Sequence, residues 1–520
     1  MCPGYGDNRQ LTWLPMGKIS RLPGGRTVTR QNRKGAPTRE LFPGQPGSVR
    51  PEAACALITF SSRSSSSSSL ANGRAPLRRV AYNFRSLEDD DATASSSSDE
   101  HPRLVLRRPH YLGIMTVPQG LRTVECDFIE VIEYWNSNVI PNLDARNIAS
   151  WNGTQRLTGN DVQSMALSAR HSLLAMSVGF HILHVSQITE TEVAPSHSGP
   201  VAKLWSTFYR HIGISLEALK KDIGQGDIRK FKHVFTTILH LILLEAFINN
   251  SPLWRSHAQG FLSLIRHHGG LETLAASPLA FKRAIQILVI SLTLINTTSP
   301  SYDQLTDVTN YNLANLNELY EIGPLPICLC PTSLFLDIVR INRLRLKSAT
   351  TEESTADSTH TICSILRSVD ACIPNDWITS NDLPKTKEFS LVTQIFKSAI
   401  AVYGGLTCPC EETSHVGTSC DTTIDFHRAK LFHLLEEGIL FPVRINSIFW
   451  PVLVAGVAAG DKEGTGAEKA LVRTYISQGV RDPFLGIPPA ESLKILGRFW
   501  DSGMAGWDEC FYRPYALLVG

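Results

Sequence analysis

The chain has 520 residues, enough for several average domains or for one large helical body, and its apolar share of 43% is that of a globular protein. The net charge of +2 conceals a split: Met1 to Leu87 carries 14 Lys and Arg against Asp7, Glu40 and Glu52, which leaves 36 basic against 45 acidic residues for the remainder. Eleven scattered cysteines, an odd number with no cationic-plus-apolar leader ahead of them, argue against secretion and for a reducing compartment where thiols stay free.

The chain opens on Cys2-Pro3-Gly4-Tyr5, followed by Leu11 and Trp13. This string resembles the end of the fungal binuclear zinc cluster, where the sixth cysteine runs into Gly-Tyr and a Leu-x-Trp. Residues 1–13 are therefore expected to be a vestige of that module. Six thiolates are needed for its two zinc ions, and only Cys2 stands in place, with no Cys-x-x-Cys pair anywhere in the sequence. Zinc is expected only if the preceding cysteines are restored, because the metal supplies the folding free energy of such a module.

Residues 14–110, rich in Gly, Pro, Ser and Arg and containing the runs Ser64–Ser69 and Ser95–Ser98, hold little that can form a core. The expectation is a disordered basic and Ser-rich linker with one acidic run at Glu88–Asp91. The N-terminal cations Arg9, Lys18, Arg21, Arg26, Arg30, Arg33 and Lys34 are candidate contacts to DNA phosphates, which would be weak and nonspecific and would fade with salt.

Order is expected from near Glu125. From Val162 to Leu183 apolar residues recur at three and four, the pattern of an amphipathic helix. Helices are likewise expected at Leu204–Leu219, Phe231–Phe247, Trp254–His268, Pro278–Ile295 and Thr332–Lys347. Further ones follow at Asp357–Val369, Glu388–Tyr403, Asp421–Glu437, Ile445–Ala459, Glu468–Gln478 and Ser492–Trp500, with Cys408–Cys420 as a loop between two of them. Pro252 stops the third of these helices, since proline lacks an amide donor and restricts its predecessor. Strand-like alternation is nearly absent. The predicted class is all-α: a large irregular multi-helix domain after a disordered N-terminal arm.

Several separated strings resemble the fungal-specific transcription factor domain of the zinc-cluster regulators: Trp254, His257 and Gly260; Pro331, Leu334, Phe335, Ile338, Ile341, Asn342 and Leu344; Phe449-Trp450-Pro451 with Ala455-Gly456; and Leu496, Phe499, Trp500 and Trp507. The resemblance implies a helical regulatory domain over 120–518. It further implies a nuclear regulator of RNA polymerase II genes that works through protein partners or self-association. Ala458 stands where family members often carry an acidic residue.

No Gly-x-Ser-x-Gly elbow, P-loop or dinucleotide fingerprint is present, so no enzyme is predicted and no catalytic residue is nominated. Cys408, Cys410, His415 and Cys420 supply enough donors for one zinc ion, yet their spacing differs from the usual pairs, and free thiols in a loop are the preferred reading. Cys328 and Cys330 are expected to be unligated. His267-His268 before Gly269-Gly270 reads as a helix end, and His181 and His184 as buried, hydrogen-bonded residues. The apolar stretches near Ile238–Phe247 and Ile285–Ile295 are interrupted or too short to cross a bilayer, so no membrane segment is predicted. The alternative function is a helical interaction or scaffold protein, derived from such a regulator, that does not bind DNA.

Overall fold

The computed structural model describes residues 11–14, 18–21, 124–144, 156–188, 193, 201–225, 231–249, 251–275, 279–325, 327–350, 355–381, 383, 385–408, 415–441, 443–460 and 465–517. Two short strands, β1 (Leu11–Leu14) and β2 (Lys18–Arg21), pair antiparallel with Leu11 opposite Arg21 and Leu14 opposite Lys18. Lys18 and Arg21 thus stand on a strand within the span read as linker. The rest of residues 14–110 lies outside the described residues.

Among the described residues the remaining regular structure is helical, apart from an isolated bridge between Leu325 and Cys328. The chain runs through α1 (Val124–Tyr134), α2 (Ile140–Asp144), α3 (Gly159–Ser164), α4 (Leu167–Ile188), α5 (Ala202–Gln225), α6 (Phe231–Leu244), α7 (Trp254–His267), α8 (Gly270–Ala275), α9 (Leu279–Thr297) and α10 (Thr306–Thr309). It continues through α11 (Leu313–Tyr320), α12 (Thr332–Thr350), α13 (Thr355–Ala371), α14 (Pro374–Ser380), α15 (Lys387–Thr407) and α16 (His415–Leu440). The last four are α17 (Ile445–Gly460), α18 (Gly466–Val480), α19 (Pro488–Ser502) and α20 (Trp507–Cys510).

The helix expected from Val162 is two. Thr158 and Asp161 form a capping box for α3, and the extended backbone of Met165 (φ −68°, ψ 148°) separates it from α4. An apolar stripe reports which side is buried, so it passes over one extended residue without a signal. The short helices α8, α10, α11, α14 and α20 also escape periodicity, because four to eight residues complete too few turns. Two carry start signals all the same: Asn312 caps α11 through the Ala314 amide, and Pro374 sits at the start of α14. The loop expected at Cys408–Cys420 gives way at His415, where α16 begins.

α15 is long and apolar enough to cross a membrane, but 72% of its apolar window is buried inside the protein. It packs against α12, α13, α16 and α17. Glycines admit these contacts: a Cβ on Gly405 would stand 2.6 Å from Ile424 of α16. α17 is bent at Ile448 (φ −130°, ψ 17°), three residues before Pro451, whose ring crowds the preceding turn and whose nitrogen gives no hydrogen bond.

Candidate functional site

α9 ends at Thr297, and Asn296, Thr297, Thr298 and Ser299 at and just past that end are all buried. Apolar packing alone would strand the carbonyls at this helix end, where the macrodipole is negative. Arg345, on α12 and 1% exposed at its side chain, answers them: its guanidinium donates to the carbonyls of Asn296 (3.4 Å), Thr297 (3.3 Å) and Ser299 (2.9 Å). It also donates to the Tyr403 hydroxyl at 2.8 Å and to Asp508 Oδ1 at 2.6 Å. Burial opposes the charge, and Tyr403 and Asp508 outweigh it, so the guanidinium is held above its ordinary pKa.

The site extends from Tyr403, which donates to Asn342 Oδ1, while Asn342 donates to the Thr293 carbonyl at 3.1 Å. Trp450 Nε1 donates to Thr297 Oγ1 at 2.8 Å, and Trp507 Nε1 to the Thr297 carbonyl. Tyr515 and Thr298 close a two-way link, N–H to carbonyl at 3.1 Å and Oγ1 to carbonyl at 2.7 Å. Five segments, α9, α12, α15, α17 and the stretch from Trp507 to Tyr515, are thereby held in one register. Asn296 is also bonded to Leu305 and Thr309 and fully buried, so the glycosylation pattern it begins is closed to modification in the folded chain.

A second polar cluster lies where α4, α5 and α6 meet. His171 and His211 approach at 2.8 Å between Nδ1 atoms, and Ser172 lies 2.9 Å from His240 Nδ1. Ser168 donates to Asp222, and Ser215 donates to the Ser168 carbonyl. Burial, with His171 and Arg210 adding to it, pushes His211 down to about 3; burial pushes His240 and His257 to about 4. These imidazoles are kept neutral.

The nominated residues fare differently. Cys2, Arg9, Arg26, Arg30, Arg33 and Lys34 lie outside the described residues; Lys18 and Arg21 are on β2, with side chains not described. Cys408 ends α15 and is buried, Cys410 lies outside the described residues, and the side chains of His415 and Cys420 are not described. Among the described residues no group of three or more His, Cys, Asp or Glu gathers as a metal site. Cys2 by itself does not fit a two-zinc group, since one thiolate cannot complete even one tetrahedral shell.

Cys328 and Cys330 are buried with sulfurs 3.7 Å apart, and burial pushes the Cys330 thiol up, which suppresses its reactivity. Cys363 departs from the expectation of free thiols: it is disulfide-bonded. Pairing depends on tertiary approach, which cysteine count and scatter do not reveal. His267 and His268 do end a helix, with Gly269 and Gly270 at φ +85° and +83°. His181 stacks on Tyr134 at 4.8 Å, and His184 Nδ1 lies 3.5 Å from the Tyr134 hydroxyl.

The strings that carried the resemblance now have physical roles. Leu334, Phe335, Ile338, Ile341 and Asn342 are buried on α12, and Trp254 and His257 on α7. Trp500 Nε1 donates to the Gly456 carbonyl at 2.8 Å, and a Cβ on Gly456 would stand 2.6 Å from Leu496, so the Ala-Gly pair permits the α17–α19 contact. Across residues 155–479 the sequence matches the family described as the fungal specific transcription factor domain. The chain belongs to that family.

Among curated proteins it is 25% identical over 315 residues to the phomenoic acid biosynthesis cluster-specific transcriptional regulator of Leptosphaeria maculans. The match covers 60% of this chain and 60% of that relative, so the chain spans less than two thirds of the relative's length. No solved structure matches. The family span stops at residue 479, yet Trp507, Asp508 and Tyr515, which complete the Arg345 site, lie beyond it.

Proposed function

We propose that this chain is the helical regulatory body of a nuclear transcription regulator acting on RNA polymerase II genes, and that it is not an enzyme. The observation carrying this reading is the family match over residues 155–479, in a body whose buried polar groups serve packing rather than a reactive cleft. Residues 120–518 form the regulatory domain, 14–110 the linker and 1–13 the remnant of a cluster. The domain works by binding a protein partner or itself, with no membrane attachment. The Leptosphaeria maculans relative acts on a biosynthesis cluster, which supports a coordinated set of biosynthetic genes as the target here.

Sequence-specific DNA reading requires thiolates that this sequence does not contain. The arm cations Arg9, Lys18, Arg21, Arg26, Arg30, Arg33 and Lys34 give weak contacts, with log affinity falling against log salt by about 0.9 per phosphate met. A second reading is a partner-binding scaffold that does not read DNA.

A fluorescence anisotropy titration at raised salt, comparing this chain with a version carrying a complete six-cysteine ligand set, tests the account. The completed version alone is expected to discriminate between duplex sequences. Equal discrimination by both overturns the assignment of DNA reading to the absent thiolates.

A further inference from the structure

The C-terminal surface carries two arginines without a carboxylate partner among the described residues. Arg498 lies over the ring of Tyr512 at 4.5 Å and donates to the Tyr512 and Tyr515 hydroxyls at 2.9 and 3.3 Å. Arg513 lies over Tyr512 and Tyr515 at 6.0 and 5.0 Å. Tyr302, 68% exposed, donates to the Tyr512 carbonyl, and Tyr512 itself is 45% exposed. By contrast Arg255, Arg266, Arg340, Arg345 and Arg428 each pair with a carboxylate.

We propose that Tyr302, Arg498, Tyr512 and Arg513 form a docking surface for an acidic, aromatic-containing segment of a partner protein. A guanidinium stacked on a ring is fixed before binding, so less ordering entropy is lost when it takes a carboxylate in its fork. Arg498 has three further N–H donors beyond those given to the tyrosines. Exposed tyrosine and arginine together are the composition of interface hot spots, with the rings contributing apolar contact and the guanidinium groups charge.

The chemistry favours a peptide over nucleic acid. Exposed Asp501 and Glu509 belong to the same two segments as the arginines. Duplex DNA, with a phosphate charge about every 1.7 Å, would run its charge against them, whereas sparse peptide carboxylates avoid them. Arg498, Tyr512 and Arg513 lie beyond the matched span of residues 155–479, and Tyr302 lies within it.

The test uses the full chain and a fluorescein-labelled peptide of Asp, Glu, Phe and Leu, its Asn/Gln twin and a labelled DNA duplex, each followed by anisotropy. Arg513→Ala is expected to weaken the acidic peptide by roughly fivefold, and Arg498→Ala with Arg513→Ala by more than about tenfold. The neutral twin binds at least about tenfold more weakly than the acidic peptide. Lys203→Ala, remote on α5, leaves binding unchanged. Should the double variant lose its urea-unfolding transition, Arg513→Ala decides alone, since Arg513 is itself exposed, over the exposed Tyr512 and the buried Tyr515. Wild-type affinity in Arg513→Ala, equal binding of the neutral twin, or tighter duplex binding that the same arginines control would each overturn the proposal. The peptide readouts do not depend on whether the chain reads DNA.

Discussion

The body buries polar groups in two regions by opposite means. At the end of α9 a charge is kept: Arg345 stays ionised because three carbonyls, a phenol and a carboxylate surround it. Between α4, α5 and α6 the charge is given up, and desolvation holds His211 and His240 neutral far below the usual imidazole range. Burying an ion is tolerable only when its surroundings offset the lost hydration, and a titratable ring for which desolvation prevails responds by shedding its proton. The two regions therefore fail under different perturbations, one to truncation of a side chain and the other to acid.

Arg345→Met attacks the first region most severely. It takes the guanidinium from the Ser299 carbonyl and from Asp508 and leaves the Asn296 and Thr297 carbonyls only the Ser299 amide and Trp507 Nε1, and urea unfolding is expected to show a loss of roughly 3–5 kcal/mol. A loss under about 1 kcal/mol would mean that water replaces the guanidinium.

Acid attacks the second, and likewise His257 on the adjoining α7. His257, buried and depressed to about 4, is neutral in the folded chain between that value and the unfolded value near 6.5, where the unfolded chain binds the extra proton. Its stability contribution is complete above 6.5 and declines as pH falls toward 4, by something on the order of 3 kcal/mol for one deeply buried ring. Unfolding free energy measured from pH 7 to pH 4 should fall in that direction, and His257→Gln should flatten the slope. An unchanged slope in the variant would assign the acid sensitivity elsewhere.

Smaller changes separate the strands of the Arg345 network. Trp507→Phe keeps most of the ring volume and removes the bond to the Thr297 carbonyl, at an expected cost of about 1–2 kcal/mol. Thr298→Val removes the bond to the Tyr515 carbonyl, at about 1 kcal/mol, and hydrogen exchange should rise selectively over residues 507–517. Uniform acceleration across the body would show instead that the C-terminal stretch opens only with global unfolding.

Most long helices were legible because each presents one apolar stripe over several turns: α7 and α12 lie close to where periodicity put them. Of the Arg345 site only fragments were. Asn342, Trp450 and Trp507 stood out as family-like strings, whereas Thr297, Arg345, Tyr403 and Asp508 gave no signal in the linear order. A lone arginine in a helical pattern reads as surface, and Asp508 beside Trp507 reads as an ordinary first-turn acid.

From sequence alone came the helical class, the charge split, the family strings and the expectation that Cys2 is a zinc-cluster remnant. Those properties are local or additive, set by side-chain period, composition and ligand count. Which polar residues end up buried, whether they keep their charge, and which cysteine is disulfide-bonded were settled only in the tertiary structure. The reason is that desolvation and hydrogen bonding depend on the distance between segments: Arg345 and Asp508, 163 residues apart in the chain, meet at 2.6 Å.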